Sequence, residues 1–319
     1  MSRKFWAFLF GIIILAEFLI FPIAWLCGWW LPKSISSYST KVDALFFVIL
    51  AVTAIAFVLT EAILVWNMFR AASHDPNEKA PYTHGNHKLE LVWTFIPGVL
   101  LLLLAIVQIN VWADIKYPSS MKPEKDTLQI EVTARQWEWR VRYPGSSTMA
   151  DWKSGKDSSY EHFRTIGYDD NGRFDDVHLV NEIHVVQGEK TLVWLKTRDV
   201  IHSFFLPNVR VKQDALPGKT IPLWFTVEKR DKSGTPIESG EGFNYNCKKN
   251  DKGEWDDGYD PVADKFNEHG EQHWDLACAE FCGSRHSLMR GKLFVHKNRD
   301  DFDAWLKSVE EKYRSGEDK

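Results

Sequence analysis

The chain has few cysteines and no excess of charge. Only 4 Cys occur in 319 residues: Cys27, Cys247, Cys278 and Cys282. None falls in a Cys-x-x-Cys-His run, so this chain attaches no covalent c-type haem. Lys and Arg number 39 against 43 Asp and Glu, a formal net charge of −4. A nucleic-acid partner needs a basic face, and that class is excluded. Beyond Trp112 no long apolar run occurs, and the mean hydropathy of −0.29 averages two unlike halves.

The first half is where the apolar residues gather. Runs at 5–31, 44–66 and 91–112 are each long enough for a membrane span of about 20 residues. The first follows Arg3 and Lys4 but exceeds a signal core of about 7–15 residues. It has no A-x-A cleavage site, and Ala24-Trp25-Leu26 before Cys27 makes a poor lipoprotein signal. A retained helix is expected. Trp93 and Trp112 suit interfacial belts. Arg70, Lys79 and Lys88 follow the second run, so the positive-inside rule puts the N-terminus and the 67–88 loop in the cytoplasm. Everything after the third run is then extracytoplasmic, whether or not the first run is cleaved. Glu17 and Glu61 lie inside apolar runs, where charge is costly. Both are read as facing neighbouring helices. Glu90 starts the third run, where the helix dipole favours an acid.

The second half reads as short strands. Leu128–Ala134 alternates as a strand with one buried face, and Trp137, Trp139, Val141 and Tyr143 fall on one face by strict alternation. Further runs at 184–186, 191–195, 221–227 and 291–296, broken by turn residues such as Gly188 and Pro217-Gly218, imply an all-β sandwich or barrel. Two stretches, 146–176 and 229–272, are rich in Gly, Asp, Lys and Ser and read as surface insertions. His162, His178, His269 and His273, in or beside them, are read as solvated. Cys247 is read as a free or buried thiol. After Asp300, Phe302, Trp305, Leu306 and Val309 have amphipathic-helix spacing. The division expected is 1–43, first helix and short loop; 44–115, helical hairpin; 116–298, extracytoplasmic β-domain; and 299–319, C-terminal amphipathic helix.

One stretch carries chemistry: Cys278-Ala279-Glu280-Phe281-Cys282-Gly283-Ser284-Arg285-His286-Ser287-Leu288-Met289. Two thiols, an imidazole and a thioether are soft donors of the kind that select copper. Zinc also takes two Cys and a His, and an extracytoplasmic Cys278–Cys282 disulfide is the third reading. Upstream, His202 sits in a polar break between strand-like runs. A distant His joining a C-terminal Cys/His/Met loop is how copper-binding β-sandwiches assemble a site. With two thiolates, two bridged copper ions could form, each keeping one His.

The loop matches C-x-E-x-C-x-x-x-H-x-x-M in full through Cys278, Glu280, Cys282, His286 and Met289, with His202 upstream. Together with the membrane segments it resembles subunit II of cytochrome c oxidase and its dinuclear copper A centre. The resemblance covers roughly 89–112 and 128–296. It implies a cupredoxin-like Greek-key domain after the N-terminal transmembrane helices. It implies copper ligation by His202, Cys278, the Glu280 carbonyl, Cys282, His286 and Met289, and a Mg²⁺ shared with subunit I at the Glu280 carboxylate. Leu89–Pro97 resembles the family's E-x-x-W-T-x-x-P, which puts Glu90 at a proton-channel entrance. Gln136-Trp137-Glu138-Trp139 resembles the family's Q-W-x-W, which implies that Trp137 receives the electron and Trp139 packs. Arg142 stands where the family often has a docking acid, so the docking surface is altered. Asp199 matches another docking acid, beside its plain reading as a turn-forming residue. Lys212 and Asp214 are read as structural charges.

The resemblance implies an electron-accepting subunit of a terminal respiratory oxidase in a bacterial plasma membrane. Its donor is cytochrome c or a membrane-bound c-type cytochrome. Electrons pass to haem in subunit I, for reduction of oxygen to water coupled to proton translocation, in company with other oxidase subunits. The alternatives are the corresponding subunit of a haem–copper nitric oxide reductase and a non-catalytic membrane-anchored copper-binding protein. A quinol-oxidase subunit has lost the Cys pair, and nitrous oxide reductase needs a propeller domain that is absent here.

Overall fold

The computed structural model describes residues 3–73, 79, 82, 84–124, 127–145, 176–229, 265–266 and 272–315. The insertions foreseen at 146–176 and 229–272, with His162, His269 and Cys247, lie almost wholly outside the described residues. The chain divides into two units, Met1–Pro32 with Thr40–Ala113, and Lys33–Ser39 with Asp114–Lys319.

The first unit is helical. Helices α1 (Arg3–Leu26), α2 (Ser39–Ser73) and α3 (His87–Lys116) are each long and apolar enough to cross a membrane, and almost none of their surface is buried within the chain. Apolar side chains turned outward all round a helix are what lipid requires. Between α1 and α2, Glu61 lines a cavity of about 390 Å³ with Gly11, Leu15, Phe18 and Phe57.

The second unit is a two-sheet β-domain. One sheet has the order β3 (Val177–Val180), β2 (Glu138–Tyr143), β1 (Leu128–Arg135), β5 (Lys190–Thr197), β8 (Ile221–Thr226). The other runs β4 (Glu182–Val186), β11 (Arg290–His296), β10 (Gln272–Cys278), β6 (His202–Leu206), β7 (Val211–Ala215), with β9 (Lys265–Phe266) beside β10. Pairings β1–β5 and β4–β11 are parallel and the others antiparallel. The architecture is the one expected, membrane helices followed by a cupredoxin-like β-domain. Its core takes the inward positions of both sheets, among them Ile130, Val132, Trp139, Val141, Tyr143, Leu195, Phe204, Leu276 and Leu293.

Several readings of individual residues change. Strand β1 is buried on both faces, not one. Its polar face is satisfied internally. Glu131 accepts from Arg142 Nη2 at 2.7 Å and Lys196 Nζ at 2.8 Å, Arg142 Nη1 reaches Asp176 at 3.0 Å, and Gln129 Oε1 accepts from Trp194 Nε1 at 3.0 Å. Arg142, 4% exposed, is therefore a buried ion-pair residue and no part of a docking surface. Alternation holds for Trp139, Val141 and Tyr143, all buried, but Trp137 precedes β2 and lies in the turn from β1, half-buried. His273, expected to be solvated, is buried on β10. Pro217-Gly218 forms the expected turn, with Gly218 at φ +72°, where a glycine avoids the Cβ clash.

Two segments from outside the strand set complete the β-unit. Lys33–Ser39, which connects α1 to α2, bridges the edge beyond β8 through Ser36 and Val227. Glu228 N–H donates to Ile35 O at 2.8 Å, Ile35 N–H donates to Asn208 O at 2.8 Å, and Ile35 and Ser36 are fully buried. Covering an edge in this way removes a row of unpaired backbone groups. It also puts this connection on the same side of the membrane as the β-domain. The C-terminal helix α4 (Arg299–Ser315) docks its apolar stripe on the unit: Phe302 is buried, Trp305 stacks on His184 at 3.8 Å, and His296 Nδ1 lies 3.0 Å from Asp301 Oδ2.

Candidate metal centre

Three elements bring the donors together. His202 opens β6, Cys278 ends β10, and the connection from β10 to β11 carries the rest. Pairing of Cys278 with Phe204 sets the β6–β10 register, so His202 comes to Cys278 from 76 residues away. The loop is closed at its neck by Cys278 N–H to Met289 O, 3.1 Å, and tied to β6 by Ala279 N–H to Ser203 O, 3.0 Å. A single 3-10 turn, His286–Leu288, turns His286 back toward Cys282.

The donor atoms form one connected group. Cys278 Sγ lies 3.8 Å from Cys282 Sγ, 3.8 Å from His202 Nδ1 and 3.2 Å from the Glu280 carbonyl oxygen. Cys282 Sγ lies 3.5 Å from His286 Nδ1 and 3.9 Å from Met289 Sδ. A disulfide needs about 2.05 Å between sulfurs, so both thiols are free. Metal–thiolate bonds are about 2.3 Å, so an ion can touch both sulfurs across 3.8 Å. Six donors, two of them thiolates able to bridge, exceed the four that a closed zinc site takes. The residues fit a soft-metal pair. His202, Cys282 and Met289 are almost wholly buried, and the Trp139 ring lies 6.3 Å from that of His202.

Electrostatics favour a charged sulfur at Cys278. Burial opposes ionisation, but hydrogen bonds from His202 and the backbone outweigh it and hold that thiol down at about 6. Burial, and then the charge on Cys278, push Cys282 up to about 12. A thiolate is the form that binds metal.

Asp199 has a more specific place than the sequence suggested. Its carboxylate is 2.8 Å from His202 Nε2 and accepts from Gln136 N–H and Val200 N–H, both at 2.7 Å. Burial raises its pKa, but these bonds together hold it below the usual carboxylate range. A His that binds metal through one nitrogen commonly donates its other N–H to a carboxylate, which fixes ring and tautomer. The sequence signal for this is the Asp-x-x-His spacing, which fits a turn or a docking acid equally well.

Trp137 sits on the same loop. Its Nε1 donates to Cys282 O at 3.2 Å, and Gln136 Nε2 donates to the same oxygen at 2.8 Å. Gly283, at φ +118°, admits this approach, since a Cβ there would meet Gln136 Nε2 at 3.0 Å and Trp137 Cζ2 at 3.2 Å. The Glu280 carboxylate is exposed. Glu90 belongs to the helical unit, in the first turn of α3, with its carboxylate 3.0 Å from His87 Nδ1.

Fold and site together define a membrane-anchored β-sandwich protein with a cluster of soft donor atoms. Residues 24–111 match the family model described as cytochrome c oxidase subunit II, transmembrane domain, and residues 128–234 match that of the periplasmic domain. The chain belongs to the cytochrome c oxidase subunit II family, whose bacterial members place this domain outside the plasma membrane. It is 25% identical to an alternative cytochrome c oxidase subunit 2 of Bradyrhizobium diazoefficiens, over 91% of this chain and 92% of that one. It is 28% identical to cytochrome c oxidase subunit 2 of a Bacillus species, over 76% of this chain but only 51% of the relative, about half its length. The periplasmic domain of subunit II of cytochrome oxidase from Bradyrhizobium japonicum aligns with 60% of this chain and 98% of its own, at 21% identity and a TM-score of 0.35.

Proposed function

We propose that this chain is the electron-accepting subunit of a haem–copper terminal oxidase, taking electrons from a c-type cytochrome and handing them to haem in subunit I. The observation that carries this reading is the convergence of His202, Cys278, Cys282, His286, Met289 and the Glu280 carbonyl on one buried point. These residues would hold a dinuclear copper A centre, with Cys278 and Cys282 supplying its two thiolates. When bound, the copper pair supplies one-electron redox chemistry. Burial by Trp139 and Phe204 excludes water, and the short loop fixes the ligands, so little rearrangement accompanies a change of charge. Trp137 receives the electron at the surface, and its bond to the Cys282 carbonyl gives a short covalent route onward to that sulfur. The Glu280 carboxylate would share a Mg²⁺ with subunit I. Glu90, at the cytoplasmic start of α3, would deliver protons to subunit I for oxygen reduction coupled to translocation.

The test is copper content and electron paramagnetic resonance of the full chain in detergent. A shorter chain starting at Asp114 would lack Lys33–Ser39, which covers the sandwich edge. Two coppers per chain, with one unpaired electron shared equally between them, are expected. A single copper or a preference for zinc would overturn the reading.

A further inference from the structure

The surface around Trp137 carries more arginine than its role requires. Arg285, exposed and next to His286 in the ligand loop, places its guanidinium carbon 5.9 Å from the centre of the Trp137 ring. That is cation–π distance. Arg135 and Arg140 both reach Glu138 Oε1, at 2.5 and 2.7 Å, so one carboxylate serves two guanidinium groups and a positive charge is left over.

Among the described residues, few acids face Arg285, Arg135 and Arg140. Among the described residues beside Trp137, Glu138 is held between Arg135 and Arg140, and Asp199 is taken up by two backbone N–H groups and His202. Glu280, exposed on the same loop, is assigned above to a cation shared with subunit I. Apolar side chains of the ligand loop and of the turn before His202 are also exposed: Phe281 by 78%, Leu288 by 71%, Val200 by 40% and Ile201 by 44%.

We propose that the electron donor docks here through an acidic face, with carboxylates around its exposed haem edge meeting Arg285 and Arg140. This rests on the reading of Trp137 as the electron-receiving residue. Arg285 is a positioning residue in this arrangement. It offers a cation directly over the receiving ring, so an acidic donor is drawn to the point where its haem edge comes nearest Trp137. A donor ringed by lysines would meet like charge there. Complementary charge of this kind acts chiefly on the association rate and raises it about 10–10³-fold, an effect that salt removes.

The experiment uses the assembled oxidase in detergent and two soluble c-type cytochromes, one with an acidic haem-edge surface and one with a basic one. Stopped-flow oxidation of each reduced cytochrome is followed as salt shortens the Debye length from about 30 Å to about 8 Å. The acidic donor is expected to react faster at low salt and to slow by about tenfold or more as salt rises. Arg285→Glu is expected to slow it by about tenfold at low salt and to converge with the unmodified protein at high salt, with Arg285→Lys retaining most of the rate. The proposal is overturned if the basic donor shows this salt dependence, if neither donor responds to salt, or if Arg285→Glu slows both donors equally at every salt concentration. An uncharged small-molecule reductant separates the two readings. If it too fails to reduce the copper and drive turnover in the unmodified complex, the electron-transfer reading fails. If it succeeds while the salt dependence is reversed, only the charge assignment fails.

Discussion

Asp199 Oδ1 lies 2.8 Å from His202 Nε2, and the opposite ring nitrogen, Nδ1, faces Cys278 Sγ at 3.8 Å. The two contacts fix which nitrogen is available to a metal. Removing the carboxylate with Asp199→Ala frees the ring and its tautomer. Loss of such a supporting carboxylate commonly lowers metal affinity by about 10–100-fold. Copper retention against a chelator is expected to fall by that order, with Asp199→Asn milder because it keeps an acceptor oxygen.

Cys278→Ser and Cys282→Ser each remove one of the two sulfurs that lie 3.8 Å apart. A hydroxyl cannot bridge soft metal ions as a thiolate does. Both variants are expected to lose the shared-electron resonance signal while circular dichroism of the β-domain is preserved. A signal that survives either change would refute the assignment of both sulfurs to the copper pair.

Gly283→Ala tests the contact between the loop and Trp137. The added Cβ would meet Gln136 Nε2 at 3.0 Å and Trp137 Cζ2 at 3.2 Å, at a φ of +118° that L side chains rarely adopt. Displacement of the indole from the Cys282 carbonyl is expected, slowing electron uptake at near-normal copper content. Trp137→Phe removes the hydrogen-bond donor without backbone strain and is expected to slow uptake in the same assay.

The buried network around Glu131 makes a prediction about pH. Burial raises the Glu131 pKa, but Arg142 and Lys196 outweigh it and hold the carboxyl below its ordinary value. A depressed folded pKa contributes stability above the unfolded value of about 4.3, and that stability is lost as pH falls through the lower folded value. Glu131→Gln leaves buried Lys196 without its carboxylate partner, while Arg142 keeps Asp176, and is expected to cost about 3–5 kcal/mol near neutral pH. The gap in melting temperature between the two proteins should narrow below about pH 4 in a thermal titration.

Phe302 is fully buried where α4 meets the β-domain, 6.0 Å from the Tyr143 ring. Phe302→Ala is expected to destabilise the domain by about 3–5 kcal/mol. Copper ligation should be unchanged, because none of the donor residues lies on α4. Chemical denaturation and copper content measured on one sample check both halves.

The sequence by itself determined the features that repeat at short range. Three apolar runs were long enough to span a bilayer, alternation marked most of the strands, and the stripe after Asp300 marked a helix. Ligand types and the spacing of Cys278, Cys282, His286 and Met289 were equally legible, because one short loop carries all four. Each of these follows from periods of two or about four residues, or from the choice of side chain. Only the tertiary structure decided what depends on pairing across long separations. The β6–β10 register brings His202 and its supporting Asp199 to Cys278. The β1–β2 and β1–β5 registers bury Arg142 with Glu131 and Lys196, which alternation alone could not distinguish from a solvated face. Lys33–Ser39 reads as a loop between helices and becomes the cover of a sheet edge nearly two hundred residues away. The physical reason is common to all three. Hydrogen-bond register and burial are set jointly by both partners, and a partner distant in sequence leaves no local period to read.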